Sequence, residues 1–355
     1  MHKIFDFIRK ERLYFFLAVF ILLVHLLMAL YGEEAEKPVM AKEAGVTQAE
    51  RAKIFDQEML AKREEAQKLL EGNTPLAAIV TMAMLLIFAI FLLGLVFDIM
   101  LLSMKLSRKA LDIRTRILES IRWGMLDVAR VVVLFFFFGY TLVVIESFLI
   151  SVFPLLRDDN FRMMFNTSIL DVLVIALIIY FVADRHKEGL AKLGITLKNF
   201  RRNVFYGITG YVAAIPVLAA VLVATTIVIN LTKYMPEKQP IVELFLKEKD
   251  ATFLFYSSLF TAIVGPFAEE LFFRGFMYSA VKKYTGVFWA MAATSALFAA
   301  LHSNLAGFAP IMVLGMLLAY LYEKTGSLVS SITVHIIHNL GMVFLVFLIR
   351  EMKVF

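Results

Sequence analysis

Long apolar blocks separated by polar loops constrain what this chain can fold into. They lie at about 13–31, 75–104, 125–156, 167–183, 204–231, 251–278, 288–303, 305–322 and 328–349. A helix needs about 20 predominantly apolar residues to cross the hydrocarbon core of a bilayer, and most of these blocks approach or exceed that length. The sequence therefore predicts an all-α fold: a polytopic transmembrane helical bundle of about eight or nine spans.

The composition supports this fold class and excludes several kinds of site. Hydrophobic residues make up 61% of the 355-residue chain and charged residues only 19%, against about 45–50% and about 25% in soluble domains. There is no cysteine, which excludes disulfides, thiolate zinc sites and a cysteine nucleophile. The net charge of +6 comes mostly from loops that flank spans, which indicates membrane lipids as partners and no nucleic acid.

A polar segment at 32–74 interrupts the apolar pattern near the N-terminus. Thr47 and Glu50 form a capping-box pattern, and the residues from 48 to 70 are mostly strong helix formers. We therefore predict four parts: an N-terminal anchor helix at 1–31, a polar extramembrane helical insert at 32–74, the N-terminal part of the membrane bundle at 75–250, and the C-terminal core helices at 251–350.

The distribution of positive charge predicts the orientation of the chain. Lysines and arginines crowd the loops at 105–122 and 185–202, whereas the loop at 32–73 has more acids than bases. Because basic loops stay in the cytoplasm, we predict a cytoplasmic N-terminus. The long insert and the basic loops resemble a bacterial protein, which would place the chain in the plasma membrane.

Ionisable residues inside apolar helices are costly, so they are candidates for function. Asp127 and Arg130 are spaced to pair with each other. Glu146 lies deeper in its block and has no obvious partner nearby in sequence, and His25 is alone in the first block, where a packed or interfacial histidine is expected. The C-terminal third differs because its polar residues come in sets.

The first set is two adjacent glutamates with an arginine four residues after the second. Glu269 and Glu270 project about 100° apart on a helix, so they cannot easily face the same partner. Glu270 and Arg274 have the favoured i,i+4 order and can neutralise each other, which leaves Glu269 on another face as a candidate general base. The alternative is a purely structural Glu–Arg pair. Pro266 is predicted to bend this span at a point where the backbone lines a cavity.

Two further sets lie in the last spans. Phe298 and His302 share one helical stripe, and His335 and Asn339 are i,i+4, so that two side-chain donors can aim at one point. His338 points partly aside and is predicted to be a neighbour of this group. One histidine in an apolar helix is usually structural, but three helices that each contribute a Glu, a His or a His–Asn pair favour a common site.

The order of these motifs resembles the CPBP intramembrane proteases, also called the Abi or CAAX-protease family, which includes type II CAAX prenyl endopeptidases. The family pattern is Glu-Glu-x3-Arg, then Phe-x3-His, then His-x3-Asn or His-x3-Asp, each on its own helix. The resemblance covers roughly 252–349, under a third of the chain. The matching positions are Glu269, Glu270, Arg274, Phe298, His302, His335 and Asn339.

The resemblance implies an intramembrane endopeptidase that acts on a peptide or protein with a membrane-proximal cleavage site. Glu269 would be the general base, helped by His302, and His335 and Asn339 would donate hydrogen bonds to the oxyanion. Two other functions remain open: a non-catalytic membrane immunity or scaffold protein that keeps the fold, and a proton-coupled transporter. The chain has no visible internal repeat, which disfavours the transporter.

The resemblance also implies supporting roles for Glu270 and Arg274 and a reaction that needs no cofactor or metal. Zinc remains an alternative, because a glutamate and two histidines can form a catalytic zinc site. The residues would be Glu269, His302 and His335. However, the helical His-Glu-x-x-His signature is missing.

Overall fold

The computed structural model describes residues 9–26, 74–106, 121–234, 239–302 and 304–352, together with scattered positions between 53 and 72. Within these ranges every regular element is helical and none is a strand, which confirms the predicted all-α fold. The helices are α1 Arg12–Leu26, α2 Pro75–Leu106, α3 Met125–Leu149, α4 Asp159–Ile179, α5 Phe200–Thr232, α6 Pro240–Lys247, α7 Ala251–Leu259, α8 Gly265–Glu270, α9 Ser279–Ala300, α10 Leu305–Thr325 and α11 Leu328–Glu351.

Seven helices in the described ranges are long and apolar enough to cross a membrane. The predicted number of spans, eight or nine, is larger than seven for two physical reasons. The run Ala251–Ala300 counts as one helix of 50 residues, but it is broken at Gly286, where φ is 77°, so it contains two predicted spans. The described part of the first block, Arg12–Leu26, is apolar but short. The chain is thus an integral, multi-pass membrane protein.

The predicted polar insert lies largely outside the described residues, as do Thr47 and Glu50 of its capping box. The positions that are described between Lys53 and Glu71 are all helical and exposed to solvent. This agrees with a polar helix in that part of the insert. The predicted division of the chain at 31, 74 and 250 stays a prediction.

The helices group into two compact units. The first contains α1, α3 and α4, and the second contains α2 and the helices from α5 to α11. The C-terminal core helices that carry the candidate motifs therefore pack together with α2 and α5 in one unit.

In the first unit, the ionisable residues of α3 are paired. Arg130 donates to Asp127 at 2.6 Å, as the i,i+3 spacing predicts, and also to Glu11 at 3.0 Å. Asp127 lies 2.9 Å from the Nε2 atom of His186. Because these charges neutralise one another at short range, the cluster needs no catalytic explanation.

The other two polar residues of this unit also have partners. Glu146, which has no partner nearby in sequence, accepts a hydrogen bond from Asn166 of α4 at 3.1 Å. The Tyr140 hydroxyl lies 2.7 Å from His25, so this histidine is packed against α3. Both contacts join neighbouring helices, which is the usual role of polar side chains in a membrane bundle.

In the second unit, two glycines let α5 approach its neighbours closely. A Cβ atom at Gly94 of α2 would lie 2.5 Å from the carbonyl oxygen of Val212, and one at Gly207 of α5 would lie 2.7 Å from that of Ser330 in α11. Helices in lipid associate through such close packing, because lipid chains are as apolar as the side chains. The result is a tightly packed support for α10 and α11.

Capping residues fix the ends of the last two helices. Asn304 begins α10 by accepting a hydrogen bond from Gly307 N at 3.0 Å, and Gly326 ends it in the left-handed conformation at φ 61°. Ser327 then begins α11 by accepting from Val329 N at 3.2 Å. Caps satisfy backbone groups that helix ends leave unpaired, so the short connection sets the start of the helix that carries His335.

Candidate active site

The two glutamates lie on α8, between two π-helical turns. These turns, Phe260–Val264 and Leu271–Tyr278, have hydrogen bonds of the i→i−5 type, for example from Gly265 N to the Phe260 carbonyl. A π turn shifts side chains relative to a regular helix and is frequent at functional sites. Pro266 stands at the junction between the first turn and α8.

Glu270 and Arg274 form a buried ion pair. Arg274 Nη1 donates to Glu270 Oε1 at 2.6 Å, and the two side chains are only 1% and 0% exposed. The guanidinium also donates to the Gly315 carbonyl at 3.3 Å and lies 4.5 Å from the centre of the Phe298 ring. The pairing predicted from the i,i+4 spacing is therefore present, and Arg274 is fixed by contacts on two further elements.

Glu269 has a different environment from its neighbour. Its side chain is 36% exposed, while its Oε2 atom is buried and has no hydrogen-bond partner among the described residues. The Nε2 atom of His335 lies 3.6 Å from this oxygen. A carboxylate that is reachable yet not bonded is available to accept a proton.

His335 of α11 lies between the two carboxylates. Its Nδ1 atom is 3.0 Å from Glu270 Oε1 and its Nε2 atom is 3.6 Å from Glu269 Oε2. The expectation that the adjacent glutamates cannot easily face one partner is therefore wrong. An imidazole has nitrogens on two sides of its ring, so one side chain reaches both carboxylates although these project in different directions.

His302 is attached to this cluster through Phe298. The Phe298 ring packs edge-on against His302 and His335, with ring centres 4.8 and 5.7 Å apart. His302 Nδ1 lies 2.8 Å from the Phe298 carbonyl oxygen. A carbonyl can only accept, so Nδ1 carries a hydrogen and Nε2 is the nitrogen that would hold the lone pair of a neutral ring.

Asn339 and His338 bind groups at the edge of the cluster. Asn339 Nδ2 donates to the Thr261 carbonyl at 2.9 Å, so it contacts a different part of the glutamate-bearing run from His335. His338 Nδ1 lies 2.9 Å from the Tyr211 hydroxyl of α5, which agrees with its predicted place as a neighbour.

Two site residues escaped the sequence reasoning. Gly315 supplies a carbonyl to Arg274, and a Cβ atom there would lie 3.0 Å from the Ser295 Cβ atom. Thr261 contributes only its backbone carbonyl. A glycine inside an apolar helix is a signal for the close approach of a neighbouring helix. Nothing in the sequence marked the carbonyl of Thr261.

The described ranges contain no group of three or more His, Asp and Glu side chains that could hold a metal ion. What the bundle contains at this place is a buried Glu–Arg pair, a second glutamate whose side chain is 36% exposed, and two histidines. The fold and site together define a multi-pass membrane protein with a polar, acid–base-capable cluster inside its helices.

Residues 251–341 match the family model of the Rce1-like type II CAAX prenyl endopeptidases. The matched segment contains every motif that carried the resemblance, which is thereby confirmed for this segment, 91 of 355 residues counted from 251 to 341 inclusive. At the level of the family, the match implies an enzyme of the CAAX protease type. No curated protein and no solved structure matches the chain.

Proposed function

We propose that this chain is an intramembrane endopeptidase that hydrolyses a peptide bond near the membrane surface. The observation that carries the proposal is the contrast between the two glutamates. Glu270 is fully buried and paired with Arg274, whereas Glu269 beside it is 36% exposed and has a buried oxygen without a hydrogen-bond partner in the described structure. Glu269 is thus suited to activate water.

In the proposed reaction, Glu269 removes a proton from a water molecule, helped by the Nε2 lone pair of His302. The water oxygen attacks the carbonyl carbon of the scissile bond. The proton held by Glu269 then passes to the leaving amide nitrogen as the carbon–nitrogen bond breaks. No covalent enzyme intermediate forms, which agrees with the absence of cysteine from the sequence.

His335 and Asn339 are proposed to stabilise the oxyanion of the tetrahedral intermediate. Glu270 holds His335 at its Nδ1 atom, which places the Nε2 atom beside Glu269, where it can donate to the oxyanion. Asn339 has two N–H groups on Nδ2, and one remains after the bond to Thr261. One such donor contributes about 2.7–4 kcal/mol to catalysis in a well-studied protease.

Glu270 and Arg274 are proposed to act as support for His335. The fixed Glu270 carboxylate holds His335 Nδ1 at 3.0 Å, and Arg274 holds that carboxylate in turn. A buried pair of this kind keeps its geometry because breaking it would leave a charge uncompensated in the apolar interior.

The proposed setting is a bacterial plasma membrane, with the N-terminus in the cytoplasm and lipids as the surrounding partners. The substrate is a peptide or protein whose cleavage site lies at the membrane surface. The family match supports trying prenylated substrates alongside unmodified ones. We propose that water activation needs no metal ion, since the roles of base and oxyanion donors are filled by side chains.

The test is cleavage by the full chain reconstituted in vesicles, with peptide libraries that do or do not carry a prenylated C-terminal cysteine. Glu269→Gln and His302→Ala should each lose cleavage while melting at temperatures close to that of the wild type. Glu146→Gln, which alters a buried carboxylate of the other unit, is the matched control and should cleave normally.

Wild-type cleavage rates in Glu269→Gln would refute the assigned base. If the folded wild type cleaves no member of either library, the result favours the non-catalytic immunity or scaffold alternative. A proton flux that depends on Glu269 in the same vesicles would favour the transporter.

A further inference from the structure

We infer that Pro266 is a positioning residue for Asn339 and acts through the backbone carbonyl of Thr261. This inference deepens the proposed function, because it explains how the amide of a proposed oxyanion donor is oriented. The coupling between the two residues can also be measured without any cleavage assay.

The first step is the hydrogen-bond register before α8. In a regular α-helix the Thr261 carbonyl would accept from the N–H of Gly265, but that N–H donates to Phe260 instead. In the i→i−5 register of this turn, the donor for Thr261 would be residue 266. That residue is proline, which has no N–H. The Thr261 carbonyl therefore lacks its helical donor in both registers.

The second step is the donor that replaces it. A carbonyl left unpaired in an apolar span is costly, and breaks at proline are tolerated in membranes where a neighbouring helix satisfies the freed group. Here Asn339 of α11 does so, with Nδ2 at 2.9 Å from the Thr261 oxygen. The bond is side chain to backbone, and it joins α11 to the turn just before Glu269.

The third step is the consequence for the site. The bond to Thr261 determines which end of the Asn339 amide faces α8, because only the nitrogen end can donate to a carbonyl. One N–H is committed to Thr261, and the direction of the second N–H follows from the planar amide. Asn339 lies one helical turn after His335, so this second N–H belongs to the same face as the imidazole.

Removing the proline should release Asn339. Pro266→Ala supplies a backbone N–H that can bond Thr261 directly, and alanine is the better residue within a helix. The Asn339 amide then loses its anchor, although its chemical identity is unchanged. This substitution should therefore impair catalysis without lowering the melting temperature.

The activity-independent test is a double-mutant cycle of melting temperatures in detergent, with Pro266→Ala, Asn339→Ala and the double variant. Asn339→Ala should lower the melting temperature in the wild-type background, where it leaves the Thr261 carbonyl unpaired. In the Pro266→Ala background the same change should lower it much less. Pro310→Ala, which removes another proline inside a helix of the same unit, is the control background and should preserve the full effect.

The kinetic test uses the same variants. Asn339→Ala should reduce kcat by about 10²–10³-fold, as expected for loss of one oxyanion donor. Pro266→Ala should reduce kcat by at least about tenfold with little change in KM, since misplacement of a catalytic group by about 1 Å can cost about 10²-fold. The double variant should be no slower than Asn339→Ala alone.

Additive shifts in melting temperature, or a wild-type kcat in Pro266→Ala, would overturn the inference. Failure of the proposed function is separate: it appears as normal cleavage by Glu269→Gln. In that case the melting-temperature cycle still decides whether Pro266 and Asn339 are coupled.

Discussion

The buried ion pair between Glu270 and Arg274 leads to a quantitative prediction about stability. Arg274→Met replaces the arginine with an apolar side chain of similar volume and leaves the Glu270 carboxylate, which is 0% exposed, without the arginine cation. The double variant Glu270→Gln with Arg274→Met removes both charges. We expect the single variant to be much less stable than the double variant.

The magnitude follows from the contacts of the pair. Removing one partner of a buried ion pair typically costs about 3–5 kcal/mol, whereas replacing both partners with neutral groups of similar volume is often close to neutral. Arg274 also donates to the Gly315 carbonyl, and a hydrogen bond from a charged group contributes about 1.5–3 kcal/mol. We therefore expect Arg274→Met to lose about 3–5 kcal/mol and the double variant about 1.5–3 kcal/mol.

The assay is reversible unfolding in mixed micelles, which gives the free energy of unfolding of the wild type and of both variants. The double variant should keep its fold but lose most cleavage, because a glutamine does not hold the His335 imidazole as a carboxylate does. If Arg274→Met lies within about 1 kcal/mol of the wild type, the buried charge is not the dominant cost. Equal losses of unfolding free energy in the single and double variants would also contradict the prediction, because the loss would then come from packing and not from an unpaired charge.

Three further predictions concern acid stability, packing and metal. The hydrogen bond from Arg130 lowers the pKa of Glu11 from its ordinary value near 4.5. The ionised Glu11 therefore stabilises the fold above that value, and this stabilisation is lost as the pH falls through the lowered pKa. Melting curves from about pH 6 to about pH 3 should show the loss in the wild type and not in Glu11→Gln. Gly315→Val should destabilise the protein by about 1–3 kcal/mol through overpacking, because even a Cβ atom at this position would lie 3.0 Å from the Ser295 Cβ atom. The control is Gly341→Val in α11, which has open space around it and should be neutral. Equal effects of the two substitutions would contradict the close approach at Gly315. Cleavage should survive exhaustive chelation, and a loss that added zinc restores would support the zinc alternative instead.

The features that could be predicted from the sequence depend on local geometry. Apolar block length indicates a helical membrane bundle without any knowledge of how the helices pack. The Glu270–Arg274 pair follows from i,i+4 spacing on one helix, and the structure has it at 2.6 Å. The pairing of Asp127 with Arg130 was accessible for the same reason.

The features that could not be predicted depend on the relation between helices. His335 bridges both glutamates because α11 is placed so that the ring enters between them, and a single sequence contains no direct record of that placement. The bond from Asn339 to Thr261 was also inaccessible, because every residue has a carbonyl and only the local register shows which one lacks a donor.

The arrangement of charge around Phe298 explains how two adjacent glutamates can have different roles. Arg274 lies over one face of the site against the Phe298 ring and directs its charge-assisted hydrogen bond to Glu270. If the same guanidinium bonded Glu269, the carboxylate would be stabilised in its ionised form and would be a weaker base. Glu270 binds both Arg274 and the Nδ1 atom of His335, so only the Nε2 atom of His335 faces Glu269. The paired glutamate therefore keeps the neighbouring glutamate free for proton transfer, and exchanging their partners should cost activity even if the total charge of the site is unchanged.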